Sequence, residues 1–379
     1  MSLPEPDQTR ESADMDWAAR IDAARARLSE LEVEALGVTA GADLTYLCGY
    51  EAMPLERITM FVVGTWSEPV LVVPELEAPR VADRGGMFEV VTWADGEDAL
   101  DVCARVLRRV GHPGGTFAIG DRAWASHLLG LQRHLVHARW IPASNVLRDL
   151  RVVKSQAEVT LLREAGAAID RVVDSLASMA WQGRTEADVA AEIGDAVVAS
   201  GHERVNFVIV AAGENAASPH HEPGETIIEA GDCVLVDIGG TRRGYCSDTT
   251  RVVSIGAPAD EISRAWESLR AAQEAATQAV APGVTAESID AAARDRLDAD
   301  GYGAAFIHRT GHGIGLDAHE DPYIVAGNAE ELRPGMCFSI EPGIYVAGRF
   351  GLRLEDIVVV TTDGVEVLNR TGHDLVVLG

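Results

Sequence analysis

Lysine is almost absent from this chain, and basic residues are scarce altogether. Lys154 is the single lysine among 379 residues, and Lys plus Arg number 32 against 59 Asp plus Glu, which gives a formal net charge of −27. Binding to nucleic acid or to an anionic membrane requires clustered Lys and Arg. We therefore expect neither partner, and the charge taken alone favours solubility.

Cysteine is also sparse, and its spacing excludes two common uses. The five cysteines are an odd number, and no CxxC pair occurs. Disulfide frameworks and thiolate zinc sites are therefore not expected. Most of these cysteines stand in apolar, strand-like runs, which predicts small core residues. The five are Cys48, Cys103, Cys233, Cys246 and Cys337.

Long apolar segments are missing as well. No run approaches the roughly 18 apolar residues that a membrane span needs. The first residues, MSLPEPDQTRESADMDW, are polar and acidic and lack the basic-then-apolar pattern of a signal peptide. We expect a cytoplasmic protein in which residues 1–15 are a disordered lead-in.

The length of the chain predicts two domains, because a single core rarely serves 379 residues. In residues 16–150, apolar strand-like runs alternate with helical patterns, which indicates an α/β domain with a mixed sheet. The first helix is expected over residues 16–33, with Ile21, Ala24, Leu28 and Leu31 on its buried face. The change of pattern near residue 150 marks the domain boundary.

Residues 151–379 begin with helices and continue with strands. Ser155 and Glu158 form a capping-box pattern ahead of a long helix, and a second helix is expected from about Thr185. Two strand hairpins follow, and helices over 260–280 and 286–300 separate them. Each hairpin carries two acidic residues, which suggests two similar halves that face each other.

These acidic residues are the main chemical signal in the chain. Burying a carboxylate among apolar residues is costly unless it is paired or bound to a metal. Four such acids call for compensating charge, which two divalent cations would supply, and a histidine between glycines offers a nitrogen ligand. The acids are Asp237, Asp248, Glu341 and Glu355, and the histidine is His312.

An alternative at this point is that the acids are exposed strand ends or are paired with arginines. The candidate partners are Arg242, Arg243, Arg251 and Arg353. We favour the metal interpretation because the five residues occur together. A set of one imidazole and four carboxylates suits Mn, Fe or Co better than a structural zinc.

The motifs around these residues resemble those of the pita-bread metallopeptidases, which include methionine aminopeptidase, aminopeptidase P and prolidase. The family's ligands run Asp, Asp, His, Glu, Glu, and here the same order appears in VDIGG, YCSDTTR, GHGIGLD, IEPGIY and GLRLED. The resemblance implies a pita-bread domain with pseudo-twofold symmetry over residues 151–379. It also implies a smaller creatinase-type α/β domain over residues 16–150.

The resemblance further implies roles for single residues. Asp248 and Glu355 would bridge two metal ions, and a shared water would lose a proton to Glu341 as general base. Asp237 would hold one metal, and His312 with Glu341 would hold the other. His220 and His319 match histidines near the substrate, whereas His221 is the weaker match. Tyr245 and Arg353 resemble groups that orient the carboxylates.

The expected activity is hydrolysis of the bond before proline. The two-domain length favours an Xaa-Pro dipeptidase (prolidase), with aminopeptidase P as the alternative. Methionine aminopeptidase ranks lower because it lacks the N-terminal domain. A non-catalytic binding protein ranks lowest because no ligand is missing. Manganese is the expected metal, proline-containing di- or short peptides are the expected substrates, and a homodimer is the expected assembly.

Overall fold

The structure is a computed structural model that describes residues 15–81 and 86–378. It divides into two compact units, one up to Arg151 and the other from Val152. The sequence-based boundary at about residue 150 adjoins this division. The predicted lead-in, apart from Met15, lies outside the described residues.

The N-terminal unit is a six-stranded mixed sheet with helices. The strands are β1 Ala35–Thr39, β2 Met60–Gly64, β3 Val70–Pro74, β4 Glu89–Trp93, β5 Thr116–Ile119 and β6 Arg139–Pro142. The helices are α1 Trp17–Glu30, α2 Ala42–Cys48, α3 Ala99–Val110, α4 Ala125–His134 and α5 Ser144–Val152. The strand order is β4-β3-β2-β1-β5-β6, in which β2 is antiparallel to both of its neighbours.

Local sequence explains most of these elements, with a few corrections. Ile21, Ala24 and Leu28 are buried on α1, but Leu31 caps the helix and is 39% exposed, because it lies beyond the last helical turn. Residues Glu75–Arg80 form a 3₁₀ helix. The sequence analysis missed α2, β6 and α5.

The C-terminal unit contains four helices and eleven strands among its described residues. The helices are α6 Gln156–Leu176, α7 Glu186–Ala199, α8 Asp260–Ala279 and α9 Ala286–Ala299. The first strands are β7 Arg204–Ala212, β8 Cys233–Arg242, β9 Tyr245–Ile255, β10 Gly311–Gly313 and β11 Glu320–Ile324. The remaining strands are β12 Cys337–Ile340, β13 Gly343–Val346, β14 Phe350–Arg353, β15 Asp356–Val360, β16 Val365–Val367 and β17 Val376–Leu378.

Two similar halves make up this unit, as the sequence analysis expected. Helices α6 and α7 share one apolar core with the sheet β17-β9-β8-β7. Helices α8 and α9 share another with the sheet β11-β10-β12-β15-β16. The second helix of each half follows a threonine, Thr185 or Thr285, and is followed by a glycine of positive φ, Gly201 or Gly301.

Two local predictions about this unit are confirmed. The capping box is present, since Ser155 Oγ accepts the Glu158 amide while the Glu158 carboxylate accepts the Ser155 amide. The β8–β9 turn places Arg243 at φ 51° and Gly244 at φ 81°. Positive φ at both central residues is the requirement of a type I′ hairpin turn.

The second predicted hairpin needs a correction. Instead of one continuous pair, β12 pairs with β15 in one sheet and β13 pairs with β14 in another. The chain leaves the first pairing at Glu341–Pro342 and rejoins it after Leu354–Glu355. Pro342 has no amide hydrogen for a ladder, so the interruption follows from the sequence and leaves both glutamates between strands.

Two further expectations from the sequence concern the cysteines and membrane-spanning segments. The five cysteines are buried, as predicted. Within the described ranges, no helix combines the length and apolarity that a membrane crossing requires.

Candidate metal centre

The hairpin β8–β9 supplies two of the predicted ligands on one face of its sheet. Asp237 on β8 lies opposite Thr250, and Asp248 on β9 lies opposite Gly239. Side chains two residues apart along a strand point the same way, so Asp237 and Asp248 are diagonal neighbours. Both acids are at least 92% buried.

The interrupted hairpin supplies the two glutamates. Thr250 Oγ1 donates to Glu355 Oε2 at 2.7 Å and accepts a hydrogen bond from Arg353 Nε at 3.1 Å. The Glu355 carbonyl accepts from Arg251 Nη1 at 2.6 Å, which anchors its backbone from behind. Glu341 accepts from Ser339 Oγ at 3.1 Å.

His312 sits on the short strand β10 in a space that only glycine neighbours permit. A Cβ on Gly311 would lie 1.8 Å from the Ser339 carbonyl oxygen, and one on Gly313 would lie 2.1 Å from that of Asp321. His312 Nδ1 lies 3.1 Å from the Gly313 carbonyl oxygen and can donate to it, which leaves Nε2 free to bind a metal.

The five predicted ligands meet in two overlapping groups. Asp237, Asp248 and Glu355 present ligand atoms within 4.8 Å of one another, and so do His312, Glu341 and Glu355. Asp248, His312 and His319 form a third such group. Glu355, Asp248 and His312 each occur in two of the three groups, and Glu355 is shared by the two groups that consist only of predicted ligands.

The electrostatics of the site reflect crowded negative charge. Burial and the neighbouring carboxylates raise the pKa of Asp248 and Glu355 well above the ordinary range. Burial also raises the pKa of Asp237 despite the nearby Arg353. For Glu341, burial opposes ionisation, but the hydrogen bond and charge of His312, together with the charges of His308 and Arg353, lower the pKa to about 2.

Two oxygens show that the cluster fits cations. Asp237 Oδ1 and Glu355 Oε1 are buried and have no hydrogen-bond partner in the described part of the chain. A buried carboxylate oxygen without a donor is costly unless a metal binds it. Of the four candidate arginines, Arg353 pairs with Asp237, whereas Arg251 pairs with Asp356 and Arg243 with Glu164. The donor set therefore fits two divalent metal ions.

Arg353 belongs to a buried chain of polar groups that the sequence analysis largely missed. Its Nη2 contacts Asp237 Oδ2 at 2.5 Å, and its Nη1 donates to the Tyr345 hydroxyl at 2.8 Å. His308 Nε2 lies 2.8 Å from the same hydroxyl. Burial raises the pKa of Tyr345 to about 12 and lowers that of His308. Tyr345 in IEPGIY and His308 just ahead of GHG were visible only as neighbours of the ligand motifs.

The two predicted substrate histidines are exposed, unlike the ligands. The His319 ring lies over that of His312, with centroids 3.8 Å apart. Although the residue as a whole is exposed, partial desolvation of its ring and the neighbouring His312 lower the pKa of His319 to about 4, and the charge of His220 adds to this effect. Arg309 Nη2 lies 3.2 Å from His319 Nδ1, and the guanidinium stacks over Tyr323. This contact directs the Nε2–H of His319 outward as a donor.

Tyr245 is placed differently from the expectation. Its hydroxyl donates to Glu158 Oε1 at 2.9 Å instead of orienting a predicted metal ligand. Tyr245 and Asp248 are three residues apart on one strand and therefore point to opposite faces. Thr250, two residues after Asp248, takes the supporting position. The single lysine, Lys154, donates to Glu320 beside His319 at 2.7 Å.

Known proteins share both units of this chain. Residues 160–362 match metallopeptidase family M24, and residues 20–153 match the creatinase/prolidase N-terminal domain. The probable dipeptidase PepE of Mycobacterium tuberculosis is 46% identical over 366 residues, 96% of each protein. The Xaa-Pro dipeptidase of Lactobacillus helveticus is 37% identical over 339 residues, 88% of this chain and 92% of that protein. The crystal structure of dipeptidase PepE from Mycobacterium ulcerans has a TM-score of 0.89 at 47% identity and covers 96% of this chain and 98% of its own.

Proposed function

The chain belongs to metallopeptidase family M24, and on that premise we propose that it is an Xaa-Pro dipeptidase. The observation that carries the metallopeptidase part is the meeting of Asp237, Asp248, His312, Glu341 and Glu355 in two overlapping groups. The dipeptidase part is supported by two relatives that carry dipeptidase names over nearly the whole chain.

We propose that these five residues hold two divalent metal ions, with manganese as the favoured metal. Such ions, when bound, polarise a carbonyl and lower the pKa of water. Glu341, whose carboxylate accepts from Ser339 Oγ, would take up a proton as general base. His319 would donate from Nε2 to the scissile carbonyl oxygen, which gains negative charge during the reaction, and His220 would act beside it.

A bond before proline has no amide hydrogen, so the site must recognise the carbonyl and the ring. A dipeptide also has a free carboxylate next to the scissile bond, and this group calls for a cation. Arg309 offers a half-buried guanidinium beside His319, and we propose that it receives the carboxylate. Aminopeptidase P, the alternative, acts on longer peptides that lack a carboxylate at that position.

The deciding experiment offers an Xaa-Pro dipeptide and an Xaa-Pro-Xaa tripeptide to the purified protein with Mn(II) or Co(II). We expect metal-dependent hydrolysis of the dipeptide. Hydrolysis of the tripeptide alone would make the protein an aminopeptidase P, and no hydrolysis of either would contradict the peptidase proposal. Asp248→Ala should abolish activity and lower the bound metal; a fully active variant would refute the ligand assignment. The homodimer and the cytoplasmic location stay predictions.

A further inference from the structure

Glu186 is a buried carboxylate, and within the described residues its side-chain hydrogen bonds go to one segment, Ala212 to Gly224. It is the first residue of α7 and has no exposed surface. Its Oε1 accepts from the Ala212 amide at 2.8 Å and from Asn215 Nδ2 at 3.0 Å. Its Oε2 contacts His221 Nε2 at 2.8 Å and accepts from the Gly224 amide at 3.2 Å. A single carboxylate therefore ties both ends of the segment together.

The backbone at the start of α7 reinforces this arrangement. The Glu186 amide donates to the Thr226 carbonyl, and the Ala187 amide donates to the Gly224 carbonyl, both at 3.0 Å. These amides are among those that a helix leaves unpaired at its N-terminus. The segment is consequently folded over the helix end by backbone and side-chain hydrogen bonds together.

The other side of the same segment reaches the metal centre. A Cβ on Gly351 would lie 1.7 Å from the Ala216 carbonyl oxygen, so the segment runs directly against β14. The Pro219 carbonyl accepts from Arg353 Nη1 at 3.4 Å, and Arg353 also contacts Asp237. The next residue is His220, which is near enough to His319 to act on its charge.

We propose that Glu186 is a positioning residue that holds residues 212–224 in place and thereby sets His220 against the metal centre. This inference rests on the proposed function, in which His220 contacts the substrate. It also separates the two adjacent histidines, because His221 contacts the Glu186 carboxylate while His220 remains exposed.

The test is a double-mutant cycle. Glu186→Gln keeps the size of the side chain but replaces one acceptor oxygen with an amide that faces donors. A displacement of about 1 Å in a substrate group can cost about 100-fold in rate. We expect Glu186→Gln to lower kcat on an Xaa-Pro dipeptide by about 10- to 100-fold with unchanged metal content. In a His220→Ala background, the same substitution should cost little further. If the two substitutions instead lower kcat by independent factors that multiply in the double variant, the proposal is overturned.

A milder variant and a matched control protect the test against simple misfolding. Asn215→Ala removes one of the four donors and should give a smaller loss that also disappears in the His220→Ala background. Asp170→Asn changes another buried acid, which accepts from Asn369 and the Arg370 amide. Its effect should be independent of His220.

Hydrogen exchange gives a readout that does not depend on activity. The amides of Ala212 and Gly224 should exchange faster in Glu186→Gln than in the wild type, and Asp170→Asn should leave them unchanged. Unaltered protection of these amides would overturn the positioning role. If the wild type does not cleave Xaa-Pro dipeptides but the protection still falls, the proposed function fails while the structural claim survives.

Discussion

At the scale of single residues, the ligand set was recognisable because each ligand stands in its own motif. The residues around it were not, because their roles depend on partners outside their own motifs, 8 to 105 positions away in the chain. Thr250 hydrogen-bonds Glu355, Tyr345 hydrogen-bonds Arg353, and Arg309 contacts the ring of His319. Tyr245 hydrogen-bonds Glu158 because its odd spacing from Asp248 turns it to the opposite face of the strand.

Arg309 gives the first prediction. We expect Arg309→Gln to raise KM for an Xaa-Pro dipeptide at least about tenfold, because a charge-assisted hydrogen bond to a carboxylate contributes about 1.5–3 kcal/mol. Hydrolysis of the matching Xaa-Pro amide, which has no carboxylate, should change far less. Steady-state kinetics on the two substrates measure the difference.

Arg296→Gln serves as the control, since Arg296 pairs with Asp300 and not with the site. If Arg309→Gln impairs hydrolysis of the dipeptide and of the amide equally, Arg309 only orients His319 and does not bind the substrate carboxylate.

His202 gives a prediction about pH. It is 97% buried between Ser200 and Ser247, and desolvation lowers its pKa to about 4. The unfolded chain, with an ordinary histidine pKa of about 6.5, therefore binds the proton more readily. Its contribution to stability is complete above pH 6.5 and is lost as the pH falls toward 4, by up to about 3 kcal/mol. His202→Gln should reduce this slope in urea unfolding followed from pH 4 to 7, whereas an unchanged slope would contradict the assignment.

At the scale of elements, the helices and most strands could be predicted because their patterns are local. Apolar periodicity, the Ser155 capping box and the TRRG turn each act over a few residues. The pairing of β12 with β15 and of β13 with β14 was not predicted, because sheet partners are chosen by packing of both halves. The interruption matters for function, since it releases Glu341 and Glu355 from the ladder.

Strand β10 gives a prediction at this scale. We expect Gly311→Ala to displace β10 from β12, because the new Cβ would meet the Ser339 backbone oxygen, which cannot move alone. The protein should lose roughly 1–3 kcal/mol of stability and also bind less metal, since His312 follows Gly311. Denaturant unfolding and elemental analysis of the purified protein measure these effects.

Gly194→Ala is the matched control, because a Cβ there meets nothing within 4 Å and lies inside helix α7. That substitution should be neutral or stabilising by up to about 1 kcal/mol. Normal metal content in Gly311→Ala would show that His312 does not depend on the spacing of β10.

At the scale of the whole molecule, all five proposed ligands belong to the unit that begins at Val152. Metal binding should therefore stabilise this unit directly. We expect calorimetry to resolve one thermal unfolding transition for each unit. Mn(II) at about 100 times its Kd should raise the midpoint temperature of the second unit only. Binding at that concentration adds about 2.7 kcal/mol, which corresponds to roughly 5–10 °C for a unit of this size.

The same scan on Asp248→Ala provides the control, because a lost bridging ligand should abolish most of the shift. Equal shifts of both transitions would contradict a metal site confined to the second unit.

The sequence by itself determined the division into two units, the α/β character of the first and the identity of the five candidate ligands. These properties follow from local patterns: chain length, apolar periodicity and acids set within apolar runs. Only the tertiary structure decided which oxygens lack partners, which arginine pairs with which acid, and that Glu186 binds the segment bearing His220. Some of those contacts join residues more than one hundred positions apart in the chain. Local sequence patterns carry no information about contacts of that kind.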